Sequence, residues 1–421
     1  MRKNIQLLLF FAIISLIAST NLLAQSHRNC GTVHYKQIQL EKDPSLQLRI
    51  NNAKRIAKEW RETTKASSTI VSIPVVFHVL WSMNAHNISD AQIYSQMDIL
   101  NRDFRRLNAD TINLPAMFDS LGADVGLEFC LAHQDPDGNW TNGITRTQST
   151  KSAFDIATDD AKFTSQGGHD AWNRDYYLNI WVVPAIVEGG MGGILGYTQP
   201  PGGNAATDGV VIGYKYIGDT GTAQAPFNLG RTATHEIGHW FGLEHVWGDD
   251  NGACWGDDLV DDTPNQAGYN FGCPNHPHKS CSNDGDMFMN FMDYTDDACM
   301  NIFTLGQKAR MLSFLNTSRV SLLTSNKCQT NAIYTINKKF TFKIRPNPAN
   351  DFINIEWNSE LNTKNIELKI LDLTGRVVVS RRISSNTNNI KQNINSLKTG
   401  VYFVQISNNN SIGTKRLMIQ H

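Results

Sequence analysis

The chain has 421 residues, 41% of them hydrophobic and 18% charged, and its 38 Lys and Arg against 39 Asp and Glu leave a formal net charge of -1. That length supports two or three domains, each with its own core. The balanced charge, without a Lys/Arg stripe between aromatics, excludes a nucleic-acid binder held by a basic field.

Arg2-Lys3, an apolar run from Ile5 to about Ala18 and the ending Leu22-Leu23-Ala24-Gln25 predict a secretory signal over residues 1–25, too short for a comfortable membrane span. No later stretch is long and apolar enough to span a bilayer. The mature protein is expected outside the cytoplasm. Residues 26–65 are polar and basic, with Arg28, Lys36, Lys42, Arg49, Lys54, Arg55, Lys58, Arg61 and Lys65. Ser45 to Trp60 has helical character but little apolar material, so the region reads as a propeptide, with the basic residues from 54 to 65 as activation cleavage points. Within it, Cys30 offers a thiolate that could close an open zinc coordination position and hold an enzyme latent. The alternative is a stray thiol in a disordered tail.

Residues 66–330 alternate strands and helices, the pattern of an α/β sheet. Ser72–Trp81 is an apolar, β-branched strand, and Asp90–Leu107 has helical spacing with Ser89 or Asp90 as its cap. Val125–Leu131, Tyr177–Val183 and Gly209–Tyr214 are further strands. The glycine-rich stretch Gly189–Tyr197 is either an edge strand able to pair with an extended peptide or a surface loop.

The sheet leads into Thr234–Val246, which contains H-E-x-x-H-x-x-G-x-x-H. On a helix, residues four apart share a face, so His235 and His239 can present two imidazoles to one ion, with Glu236 beside them to act on a bound water. Gly242 can adopt the positive φ that turns the chain and returns His245 as a third ligand. A tetrahedral zinc then keeps one open position, the mark of a catalytic site. The extended pattern calls for a methionine turn downstream, and Asn290-Phe291-Met292-Asp293-Tyr294 supplies one.

An acidic loop follows the zinc motif, with Asp249, Asp250, Asp257, Asp258, Asp261 and Asp262 before Thr263. It reads as a calcium site outside the EF-hand pattern or as a solvated loop. Cys254, Cys273, Cys281 and Cys299 predict two disulfides in an oxidising compartment, in any of three pairings; without a C-x-x-C pair, a second zinc is the weaker reading. Cys30, Cys130 and Cys328 leave at least one thiol unpaired.

After a linker at 331–340, residues 341–421 form short alternating strands: one starting at Phe340, then Phe352–Trp357, Ile366–Leu371, Arg376–Val379, Gly400–Ile406 and Gly413–Ile419, as in a small antiparallel sandwich. From 331 onward there are thirteen Lys and Arg against five Asp and Glu, an excess of eight positive charges.

On these motifs, together with Phe303-Thr304-Leu305-Gly306-Gln307, residues 66–330 resemble the pappalysin family of metzincin metalloproteases, particularly secreted bacterial members. The resemblance implies a metzincin catalytic domain with a twisted mixed sheet, a zinc helix and a Met turn. It implies zinc ligands His235, His239 and His245, Glu236 as general base, Met292 beneath the metal and Tyr294 at its open side. It further implies pairing of Cys254 with Cys281 and Cys273 with Cys299, a calcium site at Asp258, Asp261 and Thr263, and cleavage before Arg or Lys directed by Asp296 or Asp297. Arg28-Asn29-Cys30-Gly31-Thr32 resembles the family's latency segment. The tail, through Arg345-Pro346-Asn347-Pro348, Leu371–Gly375, Gly400-Val401-Tyr402 and Gly413–Leu417, resembles the sorting domain of type IX secretion cargo. The expected protein is a secreted or cell-surface zinc endopeptidase exported through the periplasm, acting on proteins or peptides. The alternative is a non-catalytic surface-binding protein with a structural zinc; that reading leaves Glu236 and a vacant coordination position without a use.

Overall fold

The computed structural model describes residues 27–64, 69–250, 252–329, 342–357, 366–373, 375–383, 389–408 and 411–421. The expected signal at 1–25, linker at 331–340 and boundary at 65–66 lie outside them. The chain divides into two compact units, Met1–Thr330 and Asn331–His421.

In the first unit, helices α1 (Thr32–Lys42) and α2 (Ser45–Thr63) precede the sheet. Leu46, Ile50, Ala53 and Ala57 recur at helical spacing and form the buried stripe of α2, with Ala53 and Ala57 against Phe314. Lys54, Arg55, Lys58 and Arg61 therefore sit within this helix. Lys65 lies outside the described residues.

The main sheet contains β1 (Val71–Trp81), β2 (Leu127–Leu131), β3 (Ile144–Gln148), β5 (Leu178–Val183), β8 (Gly196–Thr198) and β9 (Val210–Gly213). Its order is β2-β1-β5-β9-β8, with β3 also on β1, and only β8 runs antiparallel to its neighbour. β1 is central, pairing with β2 and β3 in turn on one side and β5 on the other. Its unbroken apolar run follows from burial on both faces. Side chains alternate between two cores: Val75, Phe77, Ile180 and Val210 lie in one, whereas Trp181, Val183 and Val211 lie in the other. Helix α3 (Asp90–Phe104), capped by Ser89 through the Gln92 N–H, contributes Ile93 and Leu100 to the first core.

The glycine-rich stretch forms two strands. β7 (Met191–Ile194) belongs to a small sheet with β4 (Phe154–Asp155) and β6 (Ile186–Glu188), and β8 is the edge of the main sheet. The first core is completed by α4 (Arg231–Trp240) and α5 (Leu305–Leu315). Three disulfides join Cys130 to Cys328, Cys254 to Cys281 and Cys273 to Cys299, leaving Cys30 as the free thiol among the described residues.

In the second unit, β10 (Phe342–Arg345), β11 (Phe352–Trp357) and β14 (Asn389–Asn393) form one antiparallel sheet. β12 (Ile366–Leu371), β13 (Val377–Ile383), β15 (Gly400–Asn408) and β16 (Ser411–Ile419) form the other. Ile353 and Ile355 of one sheet and Leu368, Ile370, Val404 and Leu417 of the other share one core. β14 lacks an alternating apolar pattern, because Asn389-Ile390-Lys391-Gln392-Asn393 carries one apolar residue.

Candidate active site

α4 presents His235 and His239 on one face. After its last turn Gly242 takes φ 87°, where a Cβ would also collide with the Phe314 ring, and the chain returns with His245. The three Nε2 atoms converge, His239 lying 3.2 Å from His235 and 3.0 Å from His245. Each Nδ1 is engaged elsewhere: His235 with the Phe291 carbonyl at 2.7 Å, His239 with the Leu243 carbonyl at 2.9 Å and His245 with Asp249 Oδ1 at 2.7 Å. These partners fix ring orientation and direct the Nε2 lone pairs inward. Burial lowers His239 to about 3 and depresses His235, so both are neutral imidazoles suited to a metal. The donor set fits zinc.

Asp249, the first carboxylate of the acidic loop, stands behind His245. Its signal was the four-residue spacing from that histidine.

Cys30 Sγ joins the imidazoles, the four ligand atoms lying within 4.8 Å of one another. Burial, then the neighbouring Glu236 charge, push the thiol well above its usual value; a cation at the histidines would favour the thiolate. Glu236 is buried, and desolvation raises its carboxyl to about 7. Its Oε2 accepts a 2.9 Å hydrogen bond from Thr32 Oγ1, which itself accepts from the Thr198 N–H at 2.9 Å. Tyr294 donates to the Cys30 carbonyl at 3.3 Å, and burial keeps its phenol protonated.

Met292 lies under α4, where a Cβ on Gly238 would press on its sulfur. The Met turn is held by a reciprocal amide pair, Asn290 and Gln307 exchanging two 2.9 Å hydrogen bonds. Gln307 also closes the capping box of α5 with Thr304, giving the sequence after the Met turn a structural reason.

Arg28 forms a buried ion pair with Asp297 and donates to the Thr295 carbonyl and Thr232 Oγ1 at 3.2 Å each. The other Asp297 oxygen accepts from the backbone N–H of Leu229 and Arg231. Asp296 is half-buried beside them. Between these anchors the segment runs along β8, where the Leu195 N–H donates to Asn29 O at 2.9 Å and the Gly31 N–H to Gly196 O at 2.8 Å.

Of the acidic loop, Asp258 and Thr263 come together: Thr263 Oγ1 lies 2.8 and 2.9 Å from the two carboxylate oxygens. Asp258 is buried and desolvation raises it to about 8, while Asp261 is exposed. Asp262 instead accepts from Thr304 Oγ1 and Gly306 N at the start of α5.

Residues 162–316 match the family model described as pregnancy-associated plasma protein-A, and 343–420 match a secretion system C-terminal sorting domain. An extracellular metalloprotease of Arthroderma benhamiae is 31% identical over 310 residues, covering 72% of this chain and 88% of that protein. One from Pyricularia oryzae is 34% identical over 261 residues, covering 60% and 77%. Among solved structures, a promirolysin mutant of Tannerella forsythia is 46% identical with a TM-score of 0.64, covering 70% of this chain and 97% of its own. Mature mirolysin with a cleaved peptide is 50% identical with a TM-score of 0.58, covering 62% and 97%. No helix among the described residues is long and apolar enough to cross a membrane.

Proposed function

The chain belongs to the pappalysin family of metalloproteases and is a metalloendopeptidase with a secretion sorting tail; from that premise we propose a latent precursor that cleaves proteins before Arg or Lys. The relatives set aside the alternative of a non-catalytic surface protein. The observation that carries the proposal is the run from Arg28 to Thr32, which engages the candidate chemical groups one after another.

In this reading His235, His239 and His245 hold zinc, which when bound supplies a Lewis acid for the scissile carbonyl and for water. Glu236 takes the proton of the attacking water and returns it to the leaving amine, the two transfers a carboxylate beside the metal can make in turn. Tyr294 donates to the developing oxyanion, an interaction whose loss typically costs about 2.7–4 kcal/mol. Asp297 receives the basic side chain after the scissile bond.

Before activation every role is taken. Arg28 neutralises Asp297, Cys30 Sγ lies among the imidazoles, Thr32 holds Glu236, and the Cys30 carbonyl accepts from Tyr294. The pro-form relative covers more of this chain than the mature one does, 70% against 62%, which supports residues 27–64 as the removable part.

Calcium is proposed at Asp258, Asp261 and Thr263, of which the buried Asp258 carboxylate and the Thr263 hydroxyl lie together and Asp261 is exposed. Added calcium should raise the melting temperature of the protein but not that of Asp258→Ala; an equal rise in both would remove the site.

The decisive experiment is Glu236→Ala. It should retain zinc and lose peptide hydrolysis, while the unaltered activated enzyme, given a proteome-derived peptide library, should leave Arg or Lys at the new N-termini. Cleavage by the variant would overturn the assignment of the base.

A further inference from the structure

Arg28, Cys30 and Thr32 account for latency, yet the most deeply buried side chain of the segment is Tyr35, at 0% exposure. It lies on the other side of the sheet from α4. Gly196 of β8 faces Glu236, so closely that a Cβ there would come within 3.0 Å of Glu236 Cγ. The next residue, Tyr197, points the opposite way and joins Trp181, Val183 and Val211 in the second core. The segment crosses this edge strand and lays Tyr35 beside Tyr197, their ring centroids 4.9 Å apart.

The recess around Tyr35 has apolar walls and a charged base. The Tyr35 hydroxyl donates to Asp159 Oδ2 at 2.9 Å and accepts from Lys162 Nζ at 3.0 Å, with Gln199 Oε1 3.5 Å away. Lys162 is itself 0% exposed and pairs with Asp159 Oδ1 at 3.0 Å; its Nζ stands 4.4 Å from the Tyr35 ring centroid. A phenol, which donates one hydrogen bond and accepts another, satisfies both charged groups, whereas a benzyl group satisfies neither. Apart from Tyr35 and Gln39, which donates to Asp159 Oδ2 at 3.0 Å, these contacts come from the catalytic part of the chain. They remain when residues 27–64 leave.

We propose that this recess becomes an accessory binding site in the activated enzyme, taking the phenol side chain of a tyrosine carried by a protein substrate. It lies beside β8, the strand along which the segment already runs, so a chain in the cleft passes close to it. The inference rests on residues 27–64 being a removable pro-segment.

The test starts from full-length protein activated by proteolysis, with loss of residues 27–64 confirmed by mass spectrometry. Binding of N-acetyl-tyrosinamide and N-acetyl-phenylalaninamide is then measured by ligand-detected NMR. The tyrosine amide should bind at least about tenfold more tightly, the scale of a buried hydrogen bond to a charged group, and a synthetic peptide of residues 27–64 should displace it. Lys162→Met should abolish the preference. Should that variant not fold, Asp159→Asn serves instead, since asparagine tolerates the left-handed backbone at 159, where φ is 57°. Equal binding of the two amides, or binding that the segment does not displace, overturns the site. An active enzyme that keeps residues 27–64 overturns the pro-segment reading too. A released enzyme without activity refutes the catalytic proposal but leaves the binding comparison readable.

Discussion

Residues 27–64 carry two helices but no interior of their own, whereas the strands from Phe342 to Ile419 enclose Ile353, Leu368 and Val404 in a core they build themselves. In the first region the buried side chains Arg28, Cys30, Thr32, Tyr35, Ala53 and Ala57 find partners in residues from Phe154 onward. The second region closes two sheets on each other. If residues 27–64 are discarded to reveal the site, as proposed, borrowed stability suits them, because once cut they have little to hold them folded. A sorting tail that has to be recognised in its own right needs an independent fold.

The largest effect that could break this contrast is the behaviour of the two pieces in isolation. A polypeptide of residues 341–421 should melt cooperatively by circular dichroism. A polypeptide of residues 27–64 should show no transition, since helices of eleven and nineteen residues without a packing partner are marginal in water. A cooperative melt of the second piece would show that it carries a core after all. Next in size is Arg28→Ala, read as inhibition of the activated enzyme by the 27–64 peptide. Removing one partner of a buried ion pair costs about 3–5 kcal/mol, so the inhibition constant should rise roughly a hundredfold or more. A rise below about threefold would mean that Asp297 is not a main anchor.

The same contrast decides what could be read from the amino acids. The tail strands alternate visibly in Phe352–Trp357 and Ile366–Leu371, because the residues that bury them sit in the same local pattern. Asn389–Asn393 carries no such pattern, its place in the sheet being set by pairing with β11. His235, Glu236, His239 and His245 were legible because an i, i+4 spacing and one glycine largely determine their meeting. Asp249 shares that local logic, four residues after His245, whereas Thr32 does not, since it acts on Glu236, a partner 204 residues away that the fold brings to it. Tyr35 was invisible for the same reason. It is one aromatic residue in a polar stretch, and its counterparts Asp159, Lys162 and Tyr197 lie more than a hundred residues away.

The smallest effect on catalysis is expected from the tail core, which makes it the sharpest test of independence. Leu368 is wholly buried between Ile366 and Ile370 on the inner face of β12, and Leu368→Ala should destabilise residues 341–421 by about 2–5 kcal/mol. Hydrolysis of a short peptide by the activated enzyme depends on groups within residues 66–330. Sites without shared partners combine additively to about 0.3–0.5 kcal/mol, so kcat/KM should change by no more than about twofold. Export is a different matter, because a tail that unfolds presents no sorting surface, and secreted enzyme should fall while the specific activity of what is secreted stays constant. If specific activity fell with the melting temperature of the tail, the two units would be energetically coupled, and the division between borrowed and self-made stability would fail at its second half.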